Sequence, residues 1–283
     1  EEYYHATDHS DVTGTGGSGD QWLFQPKLSL AIGPFAKTEL YLSWGRGFHS
    51  DDVRGVFGTL PGVGIPLAGG ATPLLVATTG EEIGLRTDIV PRLHIQLAAF
   101  QQDFRSELTY NSDSGQDEAG APSRRRGLEI SADYHPAPWL VLNSDLAFTR
   151  ARYRTADLAA YALTDRFIAE APKFTGSFGV LVNNLGRWSG GLQWRRLGPY
   201  PLIDGQERPE SKGYSEFNLD VGYQLPHGWR IAATVSNLLN SKDDAADYYY
   251  ATGLPGEPAG GVEDFQVHPL EPRAARFTLT RTF

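Results

Sequence analysis

The sequence predicts an all-β fold: an antiparallel barrel that crosses a membrane with strands rather than helices. Three observations carry this expectation. Strict two-residue alternation of apolar and polar side chains recurs along the whole chain. The connections between alternating stretches are short and long by turns. The closing stretch, "ARFTLTRTF", is itself two-faced and stops on Phe283.

The elements follow in order. In "KLSLAI", Leu28, Leu30 and Ile32 share one face, opposite Lys27 and Ser29. "TELYLSW" sets Leu40, Leu42 and Trp44 against Glu39, Tyr41 and Ser43. "PRLHIQLAA" opposes Leu93, Ile95 and Leu97 to Arg92, His94 and Gln96. "RGLEISADY" opposes Leu128, Ile130 and Tyr134 to Glu129, Ser131 and Asp133. "RWSGGLQWRR", "SEFNLDVGYQL" and "WRIAATVSN" repeat the pattern around Trp188 and Trp194, Leu219 and Val221, and Ile231 and Val235. Weaker matches lie near 74–87, 138–150 and 172–183. With the terminal stretch the expectation is about eleven strands of the roughly 9–11 residue class that crosses a bilayer at a tilt. Residues 157–168, "DLAAYALTDRFI", are the one stretch compatible with a short helix, inside a loop.

Short connections fall at 33–37, 87–91, 135–139, 183–187 and 225–229. Long ones fall at 47–73, 107–123, 151–170, 198–212 and 241–271. Outer-membrane barrels have that asymmetry, with tight turns on the periplasmic side and long loops outside. Trp44, Phe48, Trp139, Phe148, Trp188, Trp194, Tyr223 and Trp229 fall near strand ends, as interfacial girdles do. The same residues would serve as core aromatics in a soluble β domain. A strand in lipid must be paired, which explains why the chain ends as a strand rather than as a polar tail.

Composition narrows the function classes. Mean hydropathy is −0.35, and no run of 18 apolar residues marks a membrane helix. A barrel exposes only alternate side chains to lipid, so that value is compatible with one. The 283 residues contain no cysteine, which rules out disulfides and thiolate metal sites. The net charge of −9 argues against a nucleic-acid partner. The chain has no methionine and opens on "EEYYHATDHSD" without a visible signal peptide, so it reads as a piece of a longer or processed polypeptide. There is no Gly-x-Ser-x-Gly, no His-Glu-x-x-His and no phosphate-cradling loop, so no enzyme is expected and no cofactor is implied.

Several segments, in order, resemble the barrel of TonB-dependent outer-membrane receptors. "FQPKLSLAIGPFAKTELYLSWGRGFHSDDVRG" (24–55) carries Pro26 to Leu30, the Gly33-Pro34 turn and Gly45 to Gly55, with Asp51 where Asn is frequent. "EEIGLRT" (81–87), "SELTYNSDSG" (106–115), "SRRRGLEISADYHP" (123–136), "VSNLLN" (235–240) and "HPLEPRAARFTLTRTF" (268–283) follow. The resemblance implies that residues 1–283 are the C-terminal half, about 11–12 strands, of a 22-stranded barrel. It also implies an N-terminal plug and a TonB-binding segment that this sequence does not contain. The implied function is uptake of a scarce extracellular ligand (a metal chelate, cobalamin or a saccharide) with TonB-coupled energy. The implied partners are outer-membrane lipid, the TonB complex, a small ligand, and the barrel-assembly machinery through terminal Phe283. The implied location is the outer membrane. A smaller barrel acting as a passive pore, adhesin or enzyme, and a soluble β-rich binding domain, are the competing readings.

Candidate contact residues for plug or ligand are Arg46, His49, Asp51, Asp52, Arg54, Arg125, Glu129 and Arg273. "GFHSDDVRG" (47–55) either orders a strand-to-loop transition or touches plug and ligand. In "SRRRG" (123–127), Arg125 points into the lumen if Leu128 faces lipid, and Arg124 and Arg126 then lie at the lipid-facing rim. A lumenal Arg125 holds plug carboxylates or attracts an anionic ligand; the simpler reading of the three arginines is interfacial snorkelling and solvation in the lumen. "EPRAAR" (271–276) puts Glu271, Arg273 and Arg276 beside the last strand, where structural pairing is the simpler role. His5, Asp8, His9 and Asp11 are metal-ligand types with no spacing that selects a metal, and "DSGQDE" (113–118) lacks the order of a calcium loop, so no metal site is assigned.

Overall fold

A computed structural model describes residues 2–9, 16–50, 74–111 and 116–283. Eleven strands form one antiparallel sheet: β3 (Lys27–Phe35), β4 (Thr38–Ser50), β5 (Leu75–Thr87), β6 (Leu93–Phe104), β9 (Ser123–Ala137), β10 (Leu140–Tyr153), β11 (Phe174–Leu185), β12 (Trp188–Leu197), β13 (Tyr214–Gln224), β14 (Trp229–Ser236) and β17 (Ala274–Arg281). Each of the eleven stretches expected from alternation is one of these strands. Three hairpins stand outside the sheet: β1 (Glu2–His9) with β2 (Gly16–Leu23), β7 (Leu108–Asn111) with β8 (Gln116–Ala119), and β15 (Asp244–Thr252) with β16 (Val262–Pro269). Neighbours in the large sheet are neighbours in sequence once these hairpins are passed over. β3 and β17 are its two edges.

The registers keep the two faces apart across every strand pair. Leu30 lies opposite Leu42, Leu42 opposite Ile83, Ile83 opposite Ala99, Ala99 opposite Leu128, and Leu128 opposite Phe148. Further along, Val180, Leu192, Leu219 and Val235 form a matching row. A slip of one residue in any pair would carry a polar set onto this side. The other face carries Ser43, Glu82, Glu129, Asp145, Gln193 and Asn218. Among the described residues, much of the apolar face is left uncovered. Leu28, Ile83, Ile231, Leu279 and Phe277 are exposed, the last at 78 %, and neither Ile95 nor Leu219 is buried. Among the described residues, most buried apolar side chains gather at the long-loop end, in clusters around Ala151, Tyr153 and Ile168 and around Leu74 and Leu75. A soluble sandwich would cover such a face with a second sheet.

The short connections are tight turns. Ala36 and Lys37 both take positive φ between Phe35 and Thr38, the backbone of a two-residue hairpin. Gly33 precedes it at φ +123°, where a Cβ would lie 2.8 Å from the Thr38 carbonyl, so the "GP" of the turn has a steric reason. The Trp188 and Tyr223 rings pack at a tilt with centres 4.6 Å apart near this end, and the Arg281 guanidinium lies 5.3 Å from the Trp229 ring centre and 4.7 Å from that of Phe283. Thr282 N–H donates to the Gly228 carbonyl at 2.9 Å, so the last residues are held.

Two expectations are corrected. The strands β4, β5, β9 and β10 have 13, 13, 15 and 14 residues, longer than a bare crossing needs. The extra residues lie at the long-loop end, where the apolar face turns charged at Arg46, Glu81, Asp103, Arg126 and Arg150. Residues 157–168 hold only a 3₁₀ turn, Ala159–Tyr161. The Asp157 carboxylate accepts from Ala160 N–H at its start, and Ala162 ends it in the left-handed region.

Leu97, opposite Leu85 and Ile130, and Gln96, opposite Arg86 and Ser131, are adjacent residues on opposite faces. Leu97→Arg is expected to cost about 2–4 kcal/mol of membrane-inserted stability, and Gln96→Arg, on the polar face, much less. Heat-modifiable gel mobility of the full-length protein checks the difference.

Candidate functional site

The polar face and the long loops at its end are the chemically varied part of the molecule. Small residues let large side chains lie flat on this wall. The Tyr41 ring covers Gly84 and the Phe100 ring covers Gly127, at positions where a Cβ would collide with each ring. Beside them a cavity of about 460 Å³ is lined by Lys27, Ser29, Glu82, Gln102 and Glu129. A second, of about 500 Å³, is lined by Glu129, Ser131, Asp145, Gln193, Arg195 and Tyr214. Ser131 Oγ donates to Asp145 at 2.7 Å, and Arg86 pairs with Glu39 at 2.9 Å. The wall thus carries fixed ion pairs and hydrogen-bonding groups of both signs, which suits a polar solute or a packed polar domain.

Of the sequence-predicted contact residues, Glu129 takes the most central place, between the two cavities and opposite Ala98 and Ala147. Arg125 shares its face. It is bound bidentately by Glu107, at 2.7 and 3.0 Å, and lies 4.6 Å from the Phe104 ring centre. Ser123 donates to the same carboxylate. Its charge is therefore answered within the chain, and its role here is to fix the start of β9 to the loop before it. Arg46 lies opposite Thr79, two residues from Trp44 and on that side of the sheet, and His49 lies opposite Val76. Arg273 N–H donates to Asn240 Oδ1 at 3.3 Å, which anchors the entry into β17. Asp51, Asp52 and Arg54 lie outside the described residues, as does Asp11. His5 faces Asp20 across the first hairpin at 2.6 Å, and Tyr3 donates to the same carboxylate. Among the described residues no three His, Asp or Glu side chains form a metal-binding group.

The long loops after β10, β12 and β14 lock together. Tyr200 and Ser211 exchange hydrogen bonds across one loop, and Asp247 N–H donates to the Tyr200 hydroxyl at 3.1 Å. Lys212 N–H donates to the Asp247 carboxylate at 3.1 Å. Ala169 N–H donates to Asp204 at 2.8 Å, Thr164 donates to the Gly205 carbonyl at 2.7 Å, and Glu210 binds Lys173 and Arg208 at 3.0 and 2.8 Å. Burial pushes the Asp247 carboxyl above the usual carboxylate value, and burial likewise raises the Tyr200 hydroxyl. Sequence patterns miss this platform, because each partner lies far off in the chain.

The "VSNLLN" segment gains a structural reason. Asn237 is 1 % exposed at φ +47°. Its amide donates to the Ser241 and Glu271 carbonyls at 3.0 and 2.9 Å, and its Oδ1 accepts from Ser241 N–H at 2.8 Å. Its own N–H is taken by Asn218 at 2.9 Å. Asparagine tolerates that backbone and satisfies three loop groups at once.

A family model described as "TonB dependent receptor-like, beta-barrel" matches residues 2–238. Solved structures share the fold. The ferric yersiniabactin uptake receptor FyuA from Yersinia pestis matches with a TM-score of 0.71 and 16% identity, over 95% of this chain and 39% of that one. The siderophore receptor PiuA from Acinetobacter baumannii matches with 0.69 and 10%, over 97% and 38%. The ferric-catecholate import receptor Fiu from E. coli K12, in its closed form, matches with 0.64 and 18%, over 94% and 35%. The chain thus spans about two fifths of the length of these structures. No curated protein matches it.

Removing the Asn237 side chain strands buried loop groups, so Asn237→Ala is expected to cost about 2–3 kcal/mol, read by thermal unfolding of the detergent-extracted full-length protein. A raised Asp247 means that the folded loop binds that proton more tightly than the unfolded chain does, so its stability falls as pH rises above 3.8. Asp247→Asn is expected to slow amide exchange of β15 and β16 at pH 7 and to leave it unchanged near pH 4, about the unfolded carboxylate value.

Proposed function

This chain belongs to the TonB-dependent receptor β-barrel family, and from that premise we propose that it forms the C-terminal part of the barrel of an outer-membrane active-transport receptor. That receptor captures a scarce extracellular ligand and imports it with energy delivered by TonB. The observation that carries the reading is the eleven-strand sheet with one unbroken apolar face, one polar wall, and a hydrogen-bonded platform of long loops at one end. The platform and the wall supply the two surfaces that a ligand would meet in turn.

The ligand class we propose is a metal chelate. The likeness to FyuA, PiuA and Fiu, receptors for ferric yersiniabactin, a siderophore and ferric catecholate, supports it. So does the size of the wall cavities, about 460 and 500 Å³, which is the range of small-molecule sites. The unpaired edges β3 and β17 require partner strands in lipid. We propose that the rest of a 22-stranded barrel provides them, that a plug fills the lumen against the wall around Glu129, and that a segment beyond this chain reaches TonB. The exposed terminal Phe283 is the proposed contact for barrel assembly. The residues on this wall bind and position; the proposal assigns transport and no catalytic step.

Uptake of radiolabelled ferric chelates by cells carrying the full-length gene tests the proposal. Saturable uptake that disappears in a TonB-deficient strain is expected. Solute flux that persists without TonB would instead support a passive pore. Residues 1–283 expressed alone are expected to give no TonB-dependent uptake at all.

A further inference from the structure

Among the described residues, every buried apolar side chain except Ala98 lies at the long-loop end. Two clusters there share no residue. One joins Ala6 of β1 to Leu74 and Leu75 at the start of β5, with Tyr4, Leu23 and Phe48 packed against it. The other joins Ala121, Ala151, Tyr153 and Ile168, with Leu163 and Ala171 packed against it. A segment cannot open without uncovering the core it shares, so separate cores allow separate opening.

The second cluster is the centre of a larger body. Ala121 brings in the loop before β9, where Gly120 N–H donates to the Glu107 carbonyl at 2.6 Å and the Glu107 carboxylate holds Arg125. Tyr153 N–H donates to the Arg166 carbonyl at 2.9 Å, and the Tyr153 hydroxyl donates to Asp204. Gly205 N–H donates to the Phe167 carbonyl at 2.8 Å, and Glu170 N–H to the Pro201 carbonyl at 2.9 Å. Tyr200 carries the contacts on to Asp247 in β15. Four long loops are thereby joined, from Glu107 to Asp247.

Hairpin β1–β2 is held differently. A two-stranded hairpin is at best marginally stable in water by itself, so its position depends on its anchors. The Gln21 side-chain amide donates to the Leu75 carbonyl at 3.3 Å, and its Oε1 accepts from Leu75 N–H at 2.9 Å. Tyr3 and His5 both bond Asp20, within the hairpin itself. Residues 24–26 lead from β2 into β3 without strand pairing. At this joint Gln25 donates to Glu2 at 3.0 Å, and the Pro26 carbonyl accepts from Arg46 N–H at 2.9 Å.

We propose that hairpin β1–β2 is a strap that lifts off the start of β5, hinged at residues 24–26 and latched by Gln21, while the four long loops from Glu107 to Asp247 stay closed as one body. Lifting uncovers Leu74, Leu75 and Phe48 and leaves the ladder between β3 and β4 intact, since that pairing begins at Lys27 and Gly45. The long-loop end thus has a fixed side and a movable side. Both follow from the fold alone, whichever cargo the barrel takes.

Hydrogen exchange of the detergent-extracted full-length protein, followed by mass spectrometry, tests this division. Gln21→Met keeps the length of the side chain and removes both latch bonds. It is expected to speed exchange across β1, β2 and Leu75 about tenfold or more, as the loss of two hydrogen bonds implies. Residues 151–173 and 198–213 are expected to keep their wild-type rates. Tyr200→Phe removes one bond inside the larger body. It is expected to speed exchange about threefold or more in 151–173, 198–213 and 244–252 together, and to leave β1 and β2 unchanged. Unchanged exchange in the hairpin of Gln21→Met overturns the latch. A rise in that variant that spreads through 151–213 means a single body and overturns the strap. A rise in Tyr200→Phe confined to 198–213 overturns the shared body. Both variants are expected to keep heat-modifiable mobility, and its loss in Gln21→Met would overturn the strap, because the hairpin would then belong to the stability of the barrel itself.

Discussion

The structure depends on one constraint: in hydrocarbon, every backbone N–H and C=O must find its partner within the protein. Strands meet that requirement only by pairing side by side. Because side chains alternate, pairing then puts every second residue of each strand on a common surface. The registers here keep Leu30, Leu42, Ile83, Ala99, Leu128 and Phe148 in one continuous row across six strands. A single slipped pair would break the row, so the tight turns matter as much as the strands. The positive-φ pair Ala36 and Lys37, and the held end at Thr282, fix where adjacent ladders start.

The same constraint explains what was legible in the sequence. Alternation is imposed wherever lipid lies on one side and a wet wall on the other, so all eleven sheet strands could be read from period two alone. The hairpins β7–β8 and β15–β16 were read only as loops. They stand outside the sheet, and β15 joins the platform through Asp247. Tyr248 and Tyr250, and Phe265 and Val267, do alternate in β15 and β16. The 157–168 stretch looked helical because it is rich in alanine and leucine. Tertiary bonds to Gly205 and Asp204 hold its neighbours in a looped path instead.

The candidate site was less legible. Position could be inferred from parity: Arg125 and Glu129 fall on the polar side, and Arg124 and Arg126 on the other. Partnership could not. Glu107 reaches Arg125 across an intervening hairpin, and Asp247 meets Tyr200 from 47 residues away. Asn237 was marked by resemblance alone, and only the buried geometry shows that it ties Ser241 and Glu271 together. Charge of both signs lies on the polar wall, and a surplus of arginine lies at the long-loop end of the apolar face.

The central claim is that the apolar face meets lipid and the polar face meets water. The chain contains no cysteine, so single cysteines can be placed freely along β6 and β14 for spin labelling of the full-length protein in bilayers. Collision rates with oxygen should peak at Ile95, Leu97, Ile231 and Ala233, and those with a water-soluble nickel chelate at Gln96, Arg230 and Ala232, with a period of about two residues. Uniformly low oxygen access at the first set, with no alternation, would mean that the apolar face is covered by protein, and the account would fail.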